Sequence, residues 1–179
     1  MKSKPLVKTL VVISSLVIIA FFFVALTQTD HSTMDHSQHR VNHDAADSSF
    51  AERERMVMPF DLSATLHIFE DTATGGVQRV VANDPGDTEN IGLIREHLRA
   101  EAELFARGDF GDPSFLHGAD MPGLAELEAA GEAGLLEVSY QDLPVGGQIT
   151  YSSDDLPTVI ALHLWFQAQV IDHGEHATN

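Results

Sequence analysis

The chain has 179 residues and no cysteine, and its 27 carboxylates against 10 lysines and arginines give a formal net charge of −17. The lack of cysteine excludes disulfides, thiolate metal sites, cysteine nucleophiles, covalent c-type haem and a lipoprotein anchor. Because every lysine lies near the N-terminus, the rest of the chain is still more acidic, which predicts no nucleic-acid partner.

Residues 1–29 have the composition of a membrane anchor. Lys2, Lys4 and Lys8 precede an uncharged run centred on LVVISSLVIIAFFFVAL, and about 20 apolar residues are enough to span a bilayer. Basic residues on the N-terminal side predict a single-pass protein of the inner (cytoplasmic) membrane, with the rest of the chain outside the cytoplasm. A cleaved signal peptide is the alternative, although Ala25-Leu26-Thr27 is a poor cleavage site.

Residues 30–55 are polar and lack periodic apolar positions, which predicts a disordered tether. The segment HSTMDHSQHRVNH concentrates imidazole and thioether side chains, a composition typical of metal binding. Its candidate ligands are His31, Met34, His36, His39 and His43. MDHSQH resembles the Met-Asp-His-Ser repeats of periplasmic copper-resistance proteins, and this resemblance over six residues implies copper. A solvated polar linker is the alternative.

Residues 56–179 contain a pattern that is written twice. ATLHIFEDTATGG aligns with LLEVSYQDLPVGG, and each segment continues into a second β-rich run, which predicts a hairpin. HLRAEAELFARG then aligns with HLWFQAQVIDHG, 66 positions later, after the helix-start sequences DPGDTEN and DDLPT. We therefore expect an α+β domain built from a duplicated ββα unit. Its four-stranded, mainly antiparallel sheet would carry both helices on one face, with an insertion between the units.

Histidines occupy notable positions in both units. His67 falls on the predicted inward face of the first strand, and His97 lies at the edge of an apolar helix stripe, one turn before Glu101. In the helix alignment His163 is the counterpart of His97. The same alignment predicts that Leu98 and Leu164 are buried. Three imidazoles with one open position form a recurrent metal geometry, so His67, His97 and His163 are a candidate site. His97 and Glu101, one helix turn apart, are also candidates for two metal ligands. The alternative is that each is a half-buried histidine with a hydrogen-bonded neighbour.

The insertion supplies a second candidate pair. HGADMPGL places His117 and Met121 close together in sequence, and an imidazole with a thioether suits copper. The alternative is that Met121 fills a gap in the apolar core.

The motifs MPFDL, HLRAE, HGADMPGL, ITYSSDD and DHG resemble a family of small bacterial proteins, some of which are labelled aspartate carbamoyltransferase. The resemblance spans nearly all of residues 58–174. A transcarbamoylase activity is not expected from the residues, because the chain lacks a Ser-Thr-Arg-Thr loop for carbamoyl phosphate. Its acidic surface is also unsuited to a dianionic substrate.

The sequence thus predicts a membrane-anchored, extracytoplasmic metal-handling protein, with copper as the first candidate ion. A second hypothesis is a small-molecule-binding or enzymatic domain that uses His97 and Glu101 as acid–base groups. A third is a structural domain whose apolar segment VIALHLWF packs on a second copy of the chain or on a membrane-protein partner.

Overall fold

A computed structural model describes residues 50–179. The predicted anchor and most of the predicted tether, including its five candidate ligands, therefore lie outside the described residues. Across residues 50–179, no helix is long and apolar enough to cross a membrane. Residues 50–57 form a helix, α1, although the sequence placed residues 50–55 in the tether. Contacts with distant residues hold this helix, as described below, and local sequence could not reveal them.

The described chain has a mixed α+β fold with a five-stranded sheet. After α1, the elements are β1 (Thr65–Thr72), β2 (Gly75–Ala82), α2 (Thr88–Phe105), α3 (Gly111–His117), α4 (Leu124–Glu132), β3 (Glu137–Leu143), β4 (Gly146–Ser152), α5 (Leu156–His173) and β5 (Ala177–Thr178). The strand order is β3-β4-β2-β1-β5. The pairs β1–β2, β2–β4 and β3–β4 are antiparallel, whereas β5 runs parallel to β1.

The fifth strand corrects the expectation of four. Ala177 and Thr178 pair with His67 and Ile68 of β1. Two residues are too short for an alternating pattern, so the sequence alone did not indicate this strand. The pairing of β5 with β1 places the chain that follows α5 beside His67.

Side-chain caps start both long helices. The Asp87 carboxylate accepts from the backbone N–H of Asn90, and the Asp155 carboxylate accepts from that of Thr158. Such caps satisfy backbone donors that have no partner within the helix, and each contributes about 1 kcal/mol. The helix-start sequences therefore gave the correct beginnings of α2 and α5.

Two glycines show where these helices pack. A Cβ atom on Gly76 of β2 would lie 2.4 Å from the Phe166 ring of α5, and one on Gly147 of β4 would lie 3.1 Å from Leu98 of α2. Gly76 pairs directly with Tyr151, which is four residues beyond Gly147 on β4. Paired residues and residues an even number apart share one face of a sheet. Both helices therefore cover the same face, where glycine permits their close approach.

The buried faces of the two helices differ from the sequence alignment. Leu98 is buried as expected, whereas Leu164 is 46% exposed. The apolar residues that α5 buries are Val159, Ala161, Leu162, Trp165 and Phe166. Because α5 is apolar around most of its circumference, its periodicity did not define a buried side.

Candidate functional site

A small cavity lies between the sheet, α2, α3 and the C-terminal half of α5. Its volume is about 30 Å³. Its polar lining comprises His67, Gln78, His97, Glu101, Asp112, His117, Gln169 and His173. Such a volume holds an ion or a water molecule, whereas pockets for organic ligands usually exceed about 300 Å³.

His67 reaches the cavity from the inward face of β1 and is 2% exposed. Its Nδ1 atom has no hydrogen-bond partner among the described residues. Burial lowers the pKa of His67 well below its usual range, and neighbouring His173 lowers the pKa further. The ring is therefore neutral at pH 7.

His117 and His173 each rest against a carboxylate. The Nδ1 atom of His117 lies 2.9 Å from Asp172 Oδ2, and that of His173 lies 3.2 Å from Glu54 Oε1. Burial lowers the pKa of His117 to about 4, and His173 adds to this effect, while Asp172 opposes it. Metal-binding histidines commonly donate one ring nitrogen to a carboxylate, which directs the other nitrogen at the ion. Both side chains have this arrangement, with Nε2 as the remaining ring nitrogen.

Glu101 and His97 line the cavity from α2. Glu101 is 6% exposed, and burial raises the pKa of its carboxyl group to about 8. The charge of Asp112 and a hydrogen bond between the two side chains raise this pKa as well. Burial also lowers the pKa of His97, although Asp112 partly opposes the shift. At neutral pH the metal-free site therefore combines the neutral imidazoles of His67, His97 and His117 with a protonated Glu101.

The ring arrangement limits what this conformation can bind. His67 and His173 stack with centroids 4.8 Å apart and planes inclined by 7°, while His117 and His173 lie 5.1 Å apart at 80°. Imidazole lone pairs lie in the ring plane, so two stacked parallel rings cannot both point at one ion. Within residues 50–179, no group of three or more His, Asp or Glu side chains is arranged to hold a metal ion. Coordination by His67 and His173 together requires one ring to rotate.

The structure does not bring the three histidines singled out by sequence together. His67 and His97 line the cavity, but His163 lies at a separate surface cavity with Asp71. Its Nε2 atom is 2.8 Å from the carbonyl oxygen of Gly75, and its Nδ1 atom is 3.9 Å from Asp71 Oδ2. The helix alignment placed His163 on the wrong side of α5.

The predicted pairing of His117 with Met121 is also absent from the cavity. Met121 is 7% exposed and belongs to the apolar core, so it fills space in the interior. Met58, which follows α1, is the methionine that lines the cavity beside the histidines.

Sequence reasoning missed His173, which is central to the cluster. The spacing of Trp165, Gln169 and His173 places all three on one face of α5, and each lines the cavity. That periodicity was available in the sequence but was obscured by the apparent match between His97 and His163. No local sequence pattern indicated that Glu54 belongs to the site.

No protein-family model, curated protein or solved structure matches this chain. The resemblances to the small bacterial family and to copper-resistance repeats remain predictions from sequence.

Proposed function

We propose that the chain is a membrane-anchored, extracytoplasmic metal-handling protein that binds one transition-metal ion at His67, His117 and His173. The carrying observation is that two of the rings each have one nitrogen engaged by a carboxylate, while the buried Nδ1 atom of His67 has no partner among the described residues. Asp172 contacts the His117 ring, and Glu54 contacts the His173 ring. Such carboxylate contacts direct the second nitrogen of His117 and of His173 toward an ion. Coordination together with His67 requires the stacked His67 ring to rotate.

Copper is the first candidate ion. The cavity combines imidazoles with the Met58 thioether, and ligands of this softness suit copper. The tether histidines outside the described residues would collect the ion near the membrane. A volume of about 30 Å³ favours an ion over the organic substrate that the enzyme hypothesis requires.

Titration calorimetry with Cu²⁺ on the full chain tests this function. The histidines of the tether are replaced by alanine in the background, at His31, His36, His39 and His43, so that the remaining binding comes from the folded part. We expect this background to bind one ion. His117→Ala or His173→Ala should lower its affinity by more than about 100-fold, beyond the 10- to 100-fold typical of outer-shell changes.

His163→Ala is the matched control, because it also removes one imidazole but lies at a different cavity. It should leave the affinity unchanged. Absence of binding to the background chain, or equal effects of His163→Ala and His173→Ala, contradicts the proposed site.

We also infer that the domain arose by duplication of a ββα unit. The strands β2 and β4 pair symmetrically, since Gly76 faces Tyr151 while Gly147 faces Val80. In the hairpin alignment Gly76 corresponds to Gly147, and each glycine lies beneath the helix of the other unit. Superposing residues 65–105 on residues 136–173 in an experimental structure tests this inference, and unrelated helix positions would refute it.

A second candidate function, docking of a protein partner, is favoured by the outer surface of α5. Its exposed apolar side chains are Leu156, Ile160, Leu164 and Ile171. Clustered apolar exposure commonly marks a binding surface. Sedimentation of the full chain in detergent, with and without Ile160→Asp, tests association between copies. An unchanged sedimentation coefficient would show that this surface does not join two copies of the chain, and its partner would then be a different protein.

A further inference from the structure

Helix α1 covers two members of the histidine cluster. The Phe50 ring centroid lies 5.4 Å from that of His117 and 6.2 Å from that of His173. Arg53 Nε donates to the backbone oxygen of Leu116 at 2.9 Å, which ties α1 to α3. The helix is therefore packed directly on two of the three proposed ligands.

Glu54 is the polar link between α1 and the cavity. Glu54 is 9% exposed, and its Oε1 atom contacts Nδ1 of His173, which lies 119 positions later in the sequence. A buried carboxylate requires a compensating partner, and the imidazole N–H supplies one. Because Nδ1 then carries the proton, the lone pair of His173 resides on Nε2.

Helix α1 follows the predicted tether closely in the sequence. The predicted tether ligands end at His43, and α1 is already helical at Phe50. A displacement of α1 would uncover His117 and His173 and withdraw the carboxylate from His173 at the same time. Access to the site and orientation of a ligand therefore depend on one short helix.

We propose that α1 closes the metal site and that Glu54 is a positioning residue, which aligns Nε2 of His173 for coordination. The ion enters and leaves the cavity when α1 detaches, and it is retained when α1 is docked. This inference rests on the proposed metal-binding function. It assigns Glu54 no contact with the ion.

The test measures release of Cu²⁺ from the full chain, carrying the tether histidine-to-alanine background, into excess EDTA by stopped flow. Glu54→Ala should accelerate release by about 10- to 100-fold, as expected when a ligand loses its outer-shell partner. Glu52→Ala is the matched control, because Glu52 lies on the same helix but is exposed. It should leave the release rate unchanged.

Glu54→Gln separates positioning from simple loss of structure. The amide oxygen still accepts from His173 Nδ1, so release should be slower than in Glu54→Ala. The electron paramagnetic resonance spectrum of bound Cu²⁺ should change in Glu54→Ala and largely recover in Glu54→Gln. If Glu54→Ala fails to fold, Phe50→Ala loosens α1 without altering the carboxylate and should also accelerate release.

Hydrogen exchange of the backbone amides of residues 50–57 tests closure directly. Bound Cu²⁺ should slow exchange in this helix, because the loaded site favours the docked state. Equal exchange with and without Cu²⁺, or equal release rates for Glu54→Ala and Glu52→Ala, overturns the inference. The metal-binding function would survive that result if His173→Ala still weakens binding and His163→Ala does not.

Discussion

The helices α2 and α5 each follow an antiparallel hairpin and have the same length of 18 residues, yet they present different side chains to the cavity. Matching their shared His-Leu sequences equates His97 with His163. Matching their caps, Asp87 and Asp155, shifts the alignment by two further positions, so that His97 corresponds to Trp165. Two residues correspond to about 200° around a helix, which explains why His163 faces away. Similar sequence patterns in the two helices therefore do not place equivalent side chains at the cavity.

The largest expected difference between the helices comes from Leu98 and Leu164. Leu98→Ala should destabilise the protein by about 3–5 kcal/mol, because it empties space in a packed core. Leu164→Ala should cost less than about 1 kcal/mol, since its side chain is nearly half exposed. Urea unfolding measures both. Equal losses in the free energy of unfolding would support the alignment based on the shared His-Leu sequences.

The next difference is the pH response of Glu101. Its folded pKa of about 8 exceeds the unfolded value of 4.5, so its stabilising contribution is complete below pH 4.5. That contribution is lost as the pH rises through about 8. Glu101→Gln retains a neutral side chain and should unfold at the wild-type free energy at pH 5, but should be more stable by roughly 2–4 kcal/mol at pH 9.

Chelator-treated protein is required for that measurement, because an ion in the cavity would favour the ionised carboxylate. Gln167→Glu is the control on α5, at an exposed position. It should introduce no comparable dependence on pH. A wild-type protein as stable at pH 9 as Glu101→Gln would show that Glu101 ionises without cost.

The smallest expected effect concerns a feature that the helices share. Asp87→Ala and Asp155→Ala each remove a carboxylate that caps the first turn. Each should lower the free energy of unfolding by about 1 kcal/mol, measured by chemical denaturation. A much larger loss at one cap would show that the two helix starts are not energetically equivalent.

The sequence indicated much of the fold because its patterns are local. Alternation, Gly-Gly turns and Asp caps identified both hairpins and both long helices. The stripe containing Leu98 also indicated the buried face of α2. Within the site, His67, His97, Glu101 and His117 were selected by sequence and do line the cavity. Their shared location did not follow from spacing, since they come from three different elements.

Other features depended on contacts that no local pattern encodes. The short strand β5 forms only by pairing with β1, and α1 is fastened by Arg53 to Leu116 and by Glu54 to His173.

By itself, the sequence determined the order and the starts of the main elements, because hydrogen-bonded turns and caps require particular side chains at particular positions. Only the tertiary structure decided which side of α5 is buried, since an almost uniformly apolar helix can pack in several rotations. That choice turned Trp165, Gln169 and His173 inward and His163 outward. The composition of the histidine cluster was therefore set by packing.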